Sequence, residues 1–336
     1  MSRWLWVLIL LCNHFAFGNS TSTGPLSDEE AQVLWREGRK SFQNHQYQDA
    51  IPYLQRLADR YPDKPGYFES HLLLGQAFLG LHRPREAIAP LQFFLNSKRA
   101  RPEAVEALLT LSSAYLDLGK FSEAHLSILE IEQTSSRLFL PEETRLRIVL
   151  LKAQVLFELN QDSRSLEALS TAKKKLRNQT PIAIQGQAAL LQLKLKLRAC
   201  QRPTSPDVMK EAQVKLHSEQ NGVCLLEALL DWHTLLKISD PRSVEHGSDE
   251  LAKGFQLYAQ NCAHPVKKWP VRSLKSRAPA ERLNYAAELT DEVKQDCQNK
   301  LNQALGLLQS WKPPIESPAF KQVQSTLETL ISTRQL

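Results

Sequence analysis

The chain of 336 residues has little of what builds sheets and phosphate loops. Glycine occurs only 12 times, about half the share of ~7 % usual in globular proteins. Isoleucine and valine together are far fewer than leucine. β-branched residues favour strands and leucine is a strong helix former, so sandwiches, barrels and parallel-sheet enzymes are disfavoured and an almost all-α protein is expected. No Gly-x-Gly pair exists to cradle a nucleotide. There is no HExxH, GxSxG or HRD-type run, no Cys-x-x-Cys and no Cys/His cluster at ligand spacing. These absences predict no metal, no cofactor and no catalytic centre.

What is present suffices for a core: 42 % hydrophobic and 23 % charged residues suit a packed chain and not a disordered one. The net charge of +6 is local. Between Ala168 and Pro206 stand Lys173, Lys174, Lys175, Arg177, Lys194, Lys196, Arg198 and Arg202 with no acid. Segment 263–278 adds Lys267, Lys268, Arg272, Lys275 and Arg277, again with no acid and with two prolines. Such a basic patch either meets an anionic envelope polymer, anionic lipid or acidic protein, or is an ordinary solvated face.

The N-terminus has the build of an export signal. Arg3 precedes a nine-residue apolar run, Trp4 to Cys12, and Ala16-Phe17-Gly18 supplies small residues at the cleavage positions. Residues 1–18 therefore read as a signal peptide and 19–27 as a Ser/Thr-rich lead-in. Asn13 and His14 cut the run short of the ~20 residues of a membrane span. Leu11 stands before Cys12 where a lipid-attachment motif has a small residue. Export makes nucleic acid a poor partner. It also agrees with an even set of remaining cysteines, Cys200, Cys224, Cys262 and Cys297, which form two disulfides in an oxidising compartment or remain buried thiols.

Residues 28–179 repeat. Four units of 34 residues, Ala31–Lys64, Phe68–Arg101, Ala104–Arg137 and Leu146–Gln179, align Gly38, Gly75, Ser112 and Ala153 in one column. Ala50, Ala87, Ala124 and Ser165 align in a second, and Leu54, Leu91, Ile128 and Leu169 in a third. Each unit reads as two antiparallel helices, with small residues where they approach most closely. Tyr47 and Phe121 plug the turn. Pro62 closes the first unit, as proline after a helix does.

This pattern resembles the tetratricopeptide repeat, most closely in the first unit with Gly38, Tyr47, Ala50 and Pro62. The second unit has Pro84 in place of the turn aromatic, the third Ser112 in place of the glycine, and the fourth departs most. The resemblance implies an α-solenoid of helical hairpins that binds protein partners in a groove. Carried over by position, the groove residues are Trp35, Arg39 and Phe42; Leu72, Gln76 and Leu79; Leu109 and Leu116 with Ser113; and Leu150, Gln154 and Phe157. An apolar groove with amide edges departs from the Lys/Asn sets that clamp a terminal carboxylate. It suits an amphipathic helix or extended segment, unless the chain's own C-terminal helices cover it.

Residues 180–336 read as a helical extension, with helices near 182–200, 207–219, 223–237, 247–262, 279–311 and 318–333. Asn221-Gly222, Asp240-Pro241 and Pro313-Pro314 punctuate them. Phe320, Val323, Leu327, Leu330 and Ile331 form one apolar stripe that can close a solenoid end. If successive helices alternate in direction, Cys224 and Cys262 fall at the same end of a hairpin. Cys200 and Cys224 then lie ~20 Å apart across a helix, too far to bridge. That argument pairs Cys224 with Cys262 and leaves Cys200 for Cys297. Together these readings describe an exported, non-enzymatic interaction scaffold similar to periplasmic tetratricopeptide proteins of the cell envelope. The alternatives are a helical enzyme subunit with a site around Cys262–Arg282 and an anionic-polymer-binding protein using the basic face.

Overall fold

A computed structural model of the chain describes residues 28–97, 102–136, 138–177, 179–201, 211–238, 240–263, 265, 271, 274, 277–311 and 317–332, without the side chains of 201 and 211–217. The segments expected to be an export signal and a lead-in, and most of 263–278, including Lys267, Lys268 and Arg272, lie outside these residues. Among the described residues there is no strand, and the helices are α1 (Asp28–Gln43), α2 (Tyr47–Arg60), α3 (Tyr67–Gly80), α4 (Pro84–Asn96), α5 (Pro102–Asp117), α6 (Phe121–Ser135), α7 (Glu142–Glu158) and α8 (Asp162–Lys173). They continue with α9 (Ile182–Gln201), α10 (Glu211–Ile238), α11 (Pro241–Ala263), α12 (Pro279–Ser310) and α13 (Pro318–Ser332). The chain divides into two compact units, Met1–Ala114 and Tyr115–Leu336.

Four successive helix pairs turn in the same way. His45, His82 and Asn160 have φ of 59°, 58° and 58°, and Gly119 has φ of 70°. Each stands seven residues after the first small-residue column and five before the second. The next residue's N–H donates back across the turn: Gln46 to the Ser41 carbonyl, Arg83 to Phe78, Lys120 to Tyr115 and Gln161 to Leu156, at 2.8 to 2.9 Å. This is the Schellman closure, in which a left-handed residue past the helix end satisfies an orphan carbonyl. Glycine fills the left-handed position in one turn, while histidine and asparagine fill the others at a steric cost. Because Gly119 marks the third turn, that unit keeps register when counted from Val105, one residue later than the Ala104 boundary.

The small columns do the packing expected of them. Gly38 and Gly75 are buried, and a Cβ added at them would stand 2.9 Å from Leu54 Cδ2 and 2.4 Å from Leu91 Cγ. In the fourth hairpin the Ser165 hydroxyl donates to the Ala153 carbonyl at 2.7 Å, joining the two columns. Tyr47 packs on Phe42 with ring centroids 5.4 Å apart.

In the second unit, one cluster joins α9 to α13 through Leu197, Leu229, Trp232, Phe255, Val293, Leu301, Phe320 and Leu327. On α13, Phe320, Val323, Leu327 and Leu330 are buried as the apolar stripe requires. The break expected at Asn221-Gly222 does not occur, since α10 runs unbroken through it. Gly222 serves close packing instead: a Cβ there would lie 2.6 Å from the Tyr258 hydroxyl of α11 and 2.8 Å from Lys300 Cγ of α12.

The continuous α10 also corrects the disulfide pairing. Cys200 bridges Cys224 and Cys262 bridges Cys297, with Cα separations of 5.6 and 6.4 Å. The Cys224–Cys262 pairing assumed a helix starting at residue 223. Cys224 instead lies inside α10, antiparallel to α9, at the level where α9 ends. The same antiparallel register sets Lys196 beside Glu227 and Asp231 and Gln192 beside Asp231.

Candidate functional site

The residues assigned to a groove divide by burial. In the first unit, Trp35, Phe42, Gln76 and Leu79 are half-buried, Leu72 and Leu109 are buried, and Arg39 is exposed. Trp35 is turned to its own hairpin, where it packs on the cluster of Ala31, Leu34, Leu57 and Tyr61. Its ring also covers Gly66, whose φ is +86° and whose added Cβ would stand 2.5 Å from Trp35 Cδ2. In the second unit, Leu116 is half-buried and Gln154 exposed. Leu150 and Phe157 are buried in a cluster with Ile184, Ala188, Leu191 and Leu195 of α9. The chain's own helix therefore covers these two side chains.

Two cations of the basic block are half-buried and paired within the chain. Arg198 lies over the Phe157 ring at 3.4 Å and donates to the Phe157 carbonyl at 2.5 Å and to Asp162 at 3.1 Å. Lys196 stands 3.1 Å from Glu227 and 3.4 Å from Asp231. Burial works to lower the Lys196 pKa, but the hydrogen bond to Glu227 and the charge of Asp231 outweigh it and hold it raised. Lys194 is half-buried. By contrast Lys173, Lys174, Lys175 and Arg177, at the end of α8 and just past it, are exposed.

Beside those exposed cations is a cavity that the sequence did not indicate. It has a volume of about 540 Å³ and runs between α8 and α9, with Leu166, Leu169, Leu195, Ala199 and Cys224 along its apolar side. Lys173, whose ammonium donates to the Gln192 amide oxygen, marks one end. Asp162, neutralised by Arg198, marks the other. Its lining comes from three helices and so has no local pattern. The one trace in the sequence is the acid-free stretch that begins on α8.

A second cavity of about 540 Å³ lies between α11 and α13, lined by Gln256, Gln260, Ser325, Thr326 and Thr329. Among the described residues none of its lining side chains is charged.

Near Cys262 and Cys297 several titratable groups are packed together. The Tyr258 hydroxyl donates to the Ser218 carbonyl at 3.4 Å, and its pKa is raised by burial and by the nearby Asp296. Burial also raises Asp296, with Lys300 opposing and Glu219 adding. Both cysteines of the bridge are fully buried. Among the described residues no group of three His, Cys, Asp or Glu is placed to hold a metal ion, and no helix is long and apolar enough to cross a membrane.

Exposed apolar residues recur on the second helix of each repeat: Tyr53 on α2, Phe93 on α4, Leu126 and Leu129 on α6, and Leu166 on α8. With this, the repeat is defined by its two small columns, its Schellman turn and its two-helix unit. The fold is tetratricopeptide-like.

No protein-family model matches the sequence, and no curated protein matches it. Solved structures with a similar course include a putative kinesin light chain of Podosopora anserina with nearly identical TPR-like repeats, and a point variant of that protein. Both are 21 % identical, with the variant covering 49 % of this chain and 85 % of its own at a TM-score of 0.40, and the parent 49 % and 87 % at 0.39. A tetratricopeptide repeat protein of Parabacteroides merdae is 10 % identical over 89 % of this chain and 99 % of its own, with a TM-score of 0.45.

Proposed function

We propose that the protein is an exported interaction scaffold whose tetratricopeptide-like hairpins dock protein partners in an oxidising compartment. The observation that carries the reading is the recurrence of exposed large apolar side chains on the second helix of every repeat. Single surface leucines are ordinary, but a recurring set on equivalent helices is what a protein-contact surface has. Leu126 is 64 % exposed and Leu166 56 %, which leaves much of each side chain available to a partner.

Two features support the compartment. The sequence begins with an export-type signal, and the four remaining cysteines all lie in intramolecular bridges, which persist where thiols are oxidised. Among the described residues the enzyme reading of the C-terminal half has no such support. Cys262 and Cys297 hold each other, so neither offers a thiolate, and Tyr258 is packed between helices.

The test is site-specific photo-crosslinking in the producing cell at Phe93, Leu126 and Leu129, combined with alkylation of intact cells. The reading requires discrete protein adducts and cysteines that resist alkylation until reduced. No adduct at any of these positions would remove the scaffold. Cysteines that alkylate freely would remove the oxidising compartment.

A further inference from the structure

The groove between α8 and α9 combines features that single out one kind of ligand. Its floor is apolar and recessed: Leu169 is 1 % exposed and Leu195 8 %, while Leu166 at the rim remains open. The α8 side runs from Asp162 to Lys173, about 16 Å at the rise of an α-helix. That length matches roughly three helical turns or five extended residues of a partner.

The charge around it is one-sided. The Asp162 end is already neutralised by Arg198, and Lys196 is spent on Glu227 and Asp231. At the other end Lys173 lines the groove, its neighbours in the chain Lys174 and Lys175 are exposed with it, and among the described residues no carboxylate pairs with the three. They also stand at the C-terminal end of α8, where the helix dipole favours cations and leaves their charge in place. The groove positions described on α7, Leu150 and Phe157, are not part of this lining.

From this charge complementarity we infer that the α8/α9 groove is a docking site for a protein segment that is apolar on one face and acidic at the end nearest Lys173. The inference rests on reading the chain as a scaffold and assigns the partner's chemistry at one place on it. A flat anionic membrane meets the lysines but not the recessed floor, which sets a lipid surface apart from a peptide.

The test uses the oxidised full-length chain and a labelled 16-residue helical peptide with leucines at one face and glutamates clustered at one end. Two further peptides replace the glutamates by lysine or the leucines by serine. Fluorescence anisotropy should show binding of the first peptide only, weakening as salt is raised. Leu166→Asp, an exposed position, should lower affinity at least tenfold, and so should the combined Lys173→Glu, Lys174→Glu and Lys175→Glu changes. Unchanged helicity and disulfides in these variants separate loss of the site from loss of the fold. Equal binding of the lysine peptide, or an unaffected Leu166→Asp, would overturn the inference. So would capture by phosphatidylglycerol vesicles that persists in Leu166→Asp while no peptide binds. Failure here with crosslinks retained at Phe93 and Leu126 removes the groove and keeps the scaffold, whereas loss of those crosslinks removes the scaffold itself.

Discussion

Cys200 and Cys224 lie with Cα atoms 5.6 Å apart, at the level where α9 ends beside the middle of α10, and their bridge ties two antiparallel helices that also share the Lys196 ion pairs. Non-reducing peptide mapping should therefore find Cys200 joined to Cys224 and Cys262 to Cys297. A Cys224–Cys262 peptide would contradict this register of α10. Replacing both Cys200 and Cys224 by alanine should cost about 3.5 kcal/mol, the loop-closure value for a 24-residue separation, read from denaturant unfolding.

The pairing shows where local reading stops. Asn221-Gly222 has the composition of a turn, yet Gly222 is there because Tyr258 and Lys300 come too close for a side chain. Only the neighbouring helices reveal that. The four hairpins were legible because their constraints are local: small residues at fixed spacing and a turn seven residues on. The α8/α9 groove was not, because Leu166, Leu195 and Cys224 come from three helices and none is unusual in its own segment. Lys196 and Arg198 read as surface charge for the same reason, since their partners Asp231 and Asp162 lie more than 30 residues away.

Gly75→Ala should destabilise more than Gly38→Ala. The new methyl would stand 2.4 Å from Leu91 Cγ, against 2.9 Å from Leu54 Cδ2 at position 38. Overpacking of this kind costs roughly 1–3 kcal/mol. Urea midpoints of the two variants give the order directly.

His82→Gly and Asn160→Gly should each stabilise by a few tenths to about 1 kcal/mol, since both residues occupy left-handed backbone. The relief of ~1–2 kcal/mol of steric cost exceeds the ~0.5–1 kcal/mol of added chain entropy. Gly119→Ala, at the equivalent turn, should do the opposite. Thermal unfolding of the three variants checks the signs.

His71 should make the first unit acid-sensitive. It packs on Phe93 with ring centroids 4.2 Å apart and planes tilted by 32°, and meets Tyr67 edge-on. Burial lowers its pKa below 6.5 while Asp59 works against the shift. A depressed histidine pKa means that the unfolded chain binds the proton first. The contribution to stability is thus full above about pH 6.5 and falls away as pH drops through the folded value. His71→Leu should flatten that limb in urea midpoints measured at pH 7.5 and pH 5.5, and an unchanged slope would assign the sensitivity elsewhere.

The two bridges also set how the chain responds to being pulled. Tension applied at its ends passes through Cys200–Cys224 and Cys262–Cys297 and bypasses the 24- and 35-residue loops they close. At ~3.4 Å per residue these loops hide roughly 200 Å of contour length until the bridges are reduced. Extension is left to the stretches outside the two loops, which are the unbridged repeats and residues 180–199, 225–261 and 298–336. An oxidised molecule thus reaches a shorter maximum length under tension than a reduced one, by the contour held in the two loops.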